Sequence, residues 1–211
     1  MPAVVLATHN AKKLVELRRI LEAAGLPDVA IQSLDDFPGA PEVAETGTTF
    51  AENALLKAHS IAGFTHLPAI ADDSGLCVDV LGGAPGVFSA RWSGKHGDDD
   101  ANLDLLLAQL GDVPPGKRAA HFACAAALAL PGGVEHVVHG RLDGALLTER
   151  RGTNGFGYDP IFVPDGESRT TAEMSPDEKD AISHRGRAFR ALAGDLPALL
   201  EQVGDGHSDR P

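Results

Sequence analysis

Two successive acids, Asp72-Asp73, follow the short apolar run Leu67 to Ala71. If that run is a buried strand, it carries both carboxylates to the carboxyl edge of a sheet, where open α/β sheets place their ligands. Adjacent carboxylates repel unless a cation lies between them or one is protonated. Magnesium is the natural partner, because it takes hard oxygen donors and needs few protein ligands when a phosphate supplies the rest. The plainer reading is a turn capped by Asp72. Glu42 and Glu45 lie just ahead of a helical stretch and could complete a metal site, although their spacing does not by itself bring them there.

A second group is Thr8-x-Asn10-x-x-Lys13-x-x-Glu16, at the point where a strand gives way to a helix. The free N–H groups and dipole of a helix start favour an anion, and Lys13 on the first turn adds positive charge. A phosphate fits there; so does a plain N-cap with a solvated lysine. The spacing is neither a Walker loop nor a GxGxxG turn. Gly152 to Asp159 combines three glycines with Phe156 and Tyr158, which permits close backbone approach and offers a ring for a base to stack on; a structural loop is the alternative. Lys179 and Ser183-His184-Arg185 lie near helix starts in a donor-rich stretch, or are simply solvated charges. His136 and His139 do not suggest zinc, because three residues apart on a strand they face opposite ways.

These residues need elements to hold them. Ala3 to Ala7 reads as a strand buried on both faces, followed by Asn10 as N-cap and a helix with Leu14, Leu17 and Leu21 on one face, stopped by Gly25. The stripe Phe50, Ala54, Leu55, Ala58 and Ile61 reads as a helix ending at Gly63, before the Leu67 to Ala71 strand. Asn102 to Leu110 is a further helix. Arg118 to Leu130 and Val134 to His139 read as a β-hairpin about Pro131-Gly132-Gly133, and Pro160 to Val163 as a strand. Ser175-Pro176-Asp177-Glu178 is a capping box with proline at N1. The last helix buries Phe189, Leu192 and Leu196, with Pro197 expected to kink or restart it, and residues 204–211 are expected to fray.

The 211 residues carry a net charge of −12, so the surface as a whole repels nucleic-acid phosphates. No apolar run approaches the roughly 20 residues that cross a bilayer. No basic segment precedes a short apolar run at the start, and a cytoplasmic location is expected. Cys77 and Cys124 stand apart in apolar contexts and read as buried free thiols.

THNAKK at 8–13, ETGTTFAENALLKA at 45–58, IADDSGL at 70–76, GGAPGVFSARWSG at 82–94, GFGYDPIF at 155–162 and SHRGRA at 183–188 together resemble the inosine triphosphate pyrophosphatase family. The resemblance runs from residue 3 to about residue 200, with the motifs in the family's order. It implies an α/β fold with a long twisted mixed sheet flanked by helices, two lobes of one domain (1–203) around a central cleft, and a homodimer. It also implies a reaction that splits ITP, dITP or XTP into monophosphate and pyrophosphate. By motif, Thr8, His9, Asn10, Ala11, Lys12 and Lys13 would hold the triphosphate. Glu45 and Asp73 would carry Mg2+, with Asp72 as a further candidate, and Asp73 would accept the proton of the attacking water. Ser74, Phe156, Gly157, Tyr158, Asp159, Lys179, His184 and Arg185 would contact the nucleotide.

The chemistry of these residue types agrees. Mg2+, Lys13 and a helix start would stabilise a departing pyrophosphate. Donors such as Lys179, His184 or Arg185 favour a 6-oxo purine over adenine, a distinction worth roughly 10⁴-fold when buried donors are left unpaired. A pyrophosphatase with another base preference and a non-catalytic nucleotide-binding regulator are the competing functions. A haloacid dehalogenase-type phosphatase would need a DxDx strand end, which Asp72-Asp73-Ser74-Gly75 does not match.

Overall fold

The computed structural model describes residues 3–8, 11–24 and 29–205. The elements that matter for the site are β1 (Ala3–Leu6), α1 (Ala11–Ala23), β2 (Ala30–Ser33), α2 (Phe50–Thr65), β3 (Ala69–Val78), α3 (Asp99–Gln109), β4 (Ala119–Ala129), β5 (Glu135–Leu146), β6 (Phe162–Pro164), α4 (Pro176–Ile182) and α5 (His184–Asp205). The strands form one mixed sheet in the order β2-β1-β3-β4-β5-β6. β1 pairs in parallel with both β2 and β3, with Val5 opposite Ala69, while β5 and β6 are antiparallel, with Ala145 opposite Val163. With a parallel neighbour on each side, β1 has to be apolar on both faces, and Val4, Val5 and Leu6 are each at most 1% exposed.

The chain divides into two compact units, residues 1–73, 125–139 and 186–211 in the first and 74–124 and 140–185 in the second. In the first, α2 lays Ala54, Ala58, Ile61 and Ala62 on a sheet face made by Val5, Ala7, Ala69, Ala71, Ala125, Ala127 and Ala129. The odd-numbered alanines of β4 share one face by the two-residue strand period, and their small size gives the helix room to come close. In the second, the same period puts Leu76 and Val78 of β3, Ala120 and Phe122 of β4, and Leu142 and Leu146 of β5 into one cluster with Leu103 and Leu106 of α3 and with Phe162.

The hairpin of β4 and β5 forms, its turn closed by Leu130 N–H donating to Val134 O at 2.8 Å, but β5 runs on to Leu146, seven residues past the expected end at His139. The capping box at Ser175 also forms, with Glu178 N donating to Ser175 Oγ at 3.3 Å and Ser175 N to Glu178 Oε2 at 2.8 Å. Several boundaries differ from expectation. α2 runs through Gly63 to Thr65 and ends at His66, which is left-handed at φ 56°, because the buried stripe at Ile61 and Ala62 outweighs one helical glycine. Residues 159–161 make a 3-10 turn, so β6 begins at Phe162 rather than at Pro160. α3 starts at Asp99, three residues early, on the side-chain cap of Asp98. α5 continues through Pro197 to Asp205, past the predicted fraying point at Gly204, and burial of Phe189, Leu192, Ala193 and Leu196 offsets the one lost backbone donor. Cys77 is half-buried rather than buried, and Cys124 is buried; both are free thiols. The Asn10 cap, the Gly25 stop and residues 206–211 lie outside the described residues.

The largest difference is in β3, which does not stop before the two acids but carries them inside a ten-residue strand. Asp72 and Asp73 are therefore 3% and 8% exposed rather than set at a sheet edge. An acid in mid-strand needs a partner, and each has one.

Candidate active site

Successive side chains of a strand point to opposite faces. Asp73 shares the α2 face with Ala69 and Ala71, whereas Asp72 turns to the other face and meets Lys13, on the first turn of α1, at 2.8 Å. The expectation of a cation between the two aspartates is thus corrected: opposite faces and separate lysines relieve their repulsion. Asp72 is the counter-ion of Lys13, with its side chain only 1% exposed.

Asp73 faces Lys57 and Asn53, which lie one turn apart on α2. Asn53 Nδ2 donates to Asp73 Oδ2 at 3.0 Å, and Lys57 Nζ lies 3.7 Å from Asp73 Oδ1. The same ammonium donates to Glu45 Oε1 at 2.7 Å. Glu45 and Asp73, 28 residues apart, are therefore brought to one point, while Glu42 is exposed. Burial pushes the Asp73 carboxyl above its ordinary range, with Lys57 and Asn53 pulling the other way. Burial also depresses the Lys57 ammonium, but Asp73, Asp72 and Glu45 together outweigh it and leave its pKa raised. A lysine held charged against a carboxylate kept basic is an arrangement found at functional sites.

The donor set suits a small hard cation. Glu45 and Asp73 offer carboxylate oxygens to a point that already accommodates positive charge. Among the described residues no third His, Cys, Asp or Glu joins a metal-binding group. Two carboxylates are what Mg2+ uses when substrate phosphates and water fill its remaining positions. Of the Thr8 to Lys13 segment, Thr8 is half-buried and lies two residues past the end of β1, and Lys13 is placed as above. His9, Asn10 and the side chains of Ala11 and Lys12 lie outside the described residues.

The second unit gathers another group, beginning at the residue after Asp73. Arg185 Nη2 donates to Ser74 Oγ at 2.9 Å. The Arg185 guanidinium lies 5.7 Å and Lys179 Nζ 5.0 Å from the centre of the half-buried Phe156 ring. The His184 ring stacks on Phe122, centroids 4.8 Å apart and planes 10° apart. Asp159, 3% exposed, accepts from Phe156 N at 2.8 Å, Thr171 Oγ1 at 2.8 Å and Lys179 Nζ at 2.5 Å. Gly157 N donates to Asp99 Oδ2 at 3.0 Å. Asp159 therefore acts inward, fixing the loop and Lys179. Of the two aromatics in this loop, Tyr158 does not present its ring: its side chain lies in the core, 4% exposed, with its hydroxyl donating to Ser89 O at 2.9 Å and its pKa raised by burial. Phe156 is the ring left to stack.

Asn53, Lys57, Thr171 and Asp99 were not singled out from the sequence. For the first two the signal was present: positions 50, 54, 58 and 61 define the buried stripe of α2, and 53 and 57 fall on its edge, where a polar residue needs a reason.

The family model described as the Ham1 family matches residues 4–195. A dITP/XTP pyrophosphatase of Streptomyces avermitilis is 63% identical over 204 residues, covering 97% of this chain and all of that protein. Among solved structures, a nucleoside-triphosphatase / dITP/XTP pyrophosphatase from Mycobacterium abscessus is 55% identical with a TM-score of 0.75, covering 90% of this chain and 97% of that one. A HAM1 protein from Coxiella burnetii is 41% identical with a TM-score of 0.85, covering 94% and 100%. With matches of this extent and the motifs in place, the chain belongs to the Ham1 family, the inosine triphosphate pyrophosphatase-like group that its sequence resembles.

Proposed function

We propose that this protein hydrolyses non-canonical purine nucleoside triphosphates, ITP, dITP and XTP, to the monophosphate and pyrophosphate, clearing deaminated purines from the nucleotide pool. The observation that carries the reading is the convergence of Glu45 and Asp73 on Lys57, in a chain 63% identical to a dITP/XTP pyrophosphatase. Mg2+, held by Glu45 and Asp73, would neutralise charge on the phosphates. Asp73, kept basic by burial, accepts the proton of the attacking water at its carboxylate. Lys13 and the N-terminus of α1 hold the triphosphate, with Thr8 to Lys12 lining it, and Lys57 balances the site's negative charge.

For the base, Phe156 offers a stacking face, and Lys179, His184 and Arg185 supply donors that match a 6-oxo group and leave a 6-amino group unpaired. Ser74, Gly157, Tyr158 and Asp159 complete this end, the last two by holding the loop. The working form is a homodimer in the cytoplasm, acting on free nucleotides and not on nucleic acid or membrane. Among the described residues no helix is long and apolar enough to cross a bilayer.

The test is pyrophosphate release from ITP, dITP, XTP, ATP and GTP, each with Mg2+ and with chelator. Fast release from the first three, lost on chelation, is expected. Orthophosphate as product, or equal rates on ATP and GTP, would reject the reading. In the same assay Arg185→Ala is expected to narrow the ITP to ATP preference by about tenfold or more, because a donor to the 6-oxo group is lost; an unchanged ratio would move base recognition elsewhere.

A further inference from the structure

Asn53 is 0% exposed and makes two hydrogen bonds of opposite sense. Its Nδ2 donates to Asp73 Oδ2 at 3.0 Å, and its Oδ1 accepts from Gly47 N at 2.8 Å. Only a side chain with a donor and an acceptor on one planar group does both. An aspartate would serve Gly47 and repel Asp73, and a leucine would serve neither. We propose that Asn53 is the positioning residue of the site, locking Asp73 and the segment bearing Glu45 to the same turn of α2.

The Asp73 oxygen that Asn53 engages is Oδ2, which leaves Oδ1 as the atom facing Lys57 and therefore Glu45. At its other end, Asn53 holds the chain two residues after Glu45. That segment is drawn in tightly: a Cβ on Gly47 would lie 2.6 Å from Glu52 Cβ and 2.7 Å from Asn53 Oδ1, so glycine alone fits. Glu52 continues the attachment by accepting from Thr48 N at 2.6 Å, Thr48 Oγ1 at 2.9 Å and Thr49 N at 3.1 Å. Two acids separated by 28 residues owe their common target to one buried amide, much as outer-shell hydrogen bonds orient metal ligands.

The proposal rests on the pyrophosphatase reading, and its test separates the two. Asn53→Asp retains the acceptor for Gly47 and loses the donor to Asp73; Asn53→Ser is too short to reach either partner. In both, kcat for ITP is expected to fall about 10- to 100-fold with KM within about threefold of wild type, and Mg2+ binding to the substrate-free protein, followed by calorimetry, to weaken about tenfold in Asn53→Ser but not in Asn53→Asp. Wild-type kcat in folded Asn53→Asp, KM rising in place of the fall in kcat, or unchanged Mg2+ affinity in Asn53→Ser would each overturn it. Wild-type protein inactive on ITP would instead reject the pyrophosphatase reading, and the Mg2+ titrations would still decide the role of Asn53.

Discussion

Replacing Asp73 with asparagine is expected to lower ITP turnover by about 10³-fold or more, since on the proposed mechanism it removes both a general base and a carboxylate ligand, while the melting temperature at neutral pH stays the same or rises. The two halves come from one feature, the burial that keeps the Asp73 carboxyl above its ordinary value of 3.8. A carboxylate with a raised folded pKa binds its proton more tightly folded than unfolded, so it destabilises the fold increasingly as pH rises from its unfolded through its folded pKa. Asparagine carries no such charge; its single amide oxygen can accept from Asn53, while Lys57 keeps Glu45 as its hydrogen-bond partner. The gain in melting temperature is expected to shrink as pH falls towards the ordinary aspartate range. The raised pKa also makes protons compete with Mg2+, so the wild-type Mg2+ requirement is expected to rise in acid. Near-wild-type turnover would remove Asp73 from the mechanism, and a large fall in melting temperature would mean that its ionised form is a structural ion pair.

The types of chemistry were legible in the sequence to a greater extent than their geometry. Periodicity located β1, α2, the hairpin and α5, because each buries a continuous apolar face that leaves a pattern in the residues. The family resemblance, and not spacing alone, singled out Glu45, Asp73, Lys13, Lys179 and Arg185 as site residues. What the local pattern misjudged was the course of β3: strand propensity treats two aspartates as an exit, whereas Lys57, Asn53 and Lys13 arrive from 16, 20 and 59 positions away to satisfy them in mid-strand. A pattern local in sequence does not contain a partner that distant. The same limit hid the inward role of Asp159, whose partners Thr171 and Lys179 lie 12 and 20 residues on, and the burial of Tyr158, which in sequence is one more aromatic of a glycine-rich loop. His66 shows the reverse case, a helix stop held by a non-glycine left-handed residue where Gly63 was the obvious candidate.

Asp159→Asn is the second large effect expected, and it acts on both stability and selectivity. The carboxylate is nearly inaccessible and accepts from an ammonium, a hydroxyl and a backbone N–H. The amide that replaces it has one acceptor atom instead of two, so its NH2 must oppose either Lys179 and Phe156 N or the Thr171 hydroxyl; only the hydroxyl can turn to accept. Lys179, itself only 16% exposed, is then left without its counter-charge. Removing one partner of such a buried pair costs about 3–5 kcal/mol, which for a chain of this size is a fall of roughly 6–20 °C in melting temperature. Thr171→Val removes one neutral donor and keeps the ion pair, so its expected cost is about 1–2 kcal/mol. Because Asp159 also sets Lys179 and the backbone of Phe156, kcat/KM for ITP is expected to fall about 100-fold with the ITP to ATP ratio narrowing in step, whereas Thr171→Val keeps most of that ratio. Thermal melts and the nucleotide panel on the two variants check this together. Equal melting temperatures for Asp159→Asn and Thr171→Val would show that the ion pair contributes nothing beyond a hydrogen bond, and an intact ITP preference in folded Asp159→Asn would place base recognition away from Phe156 and Lys179.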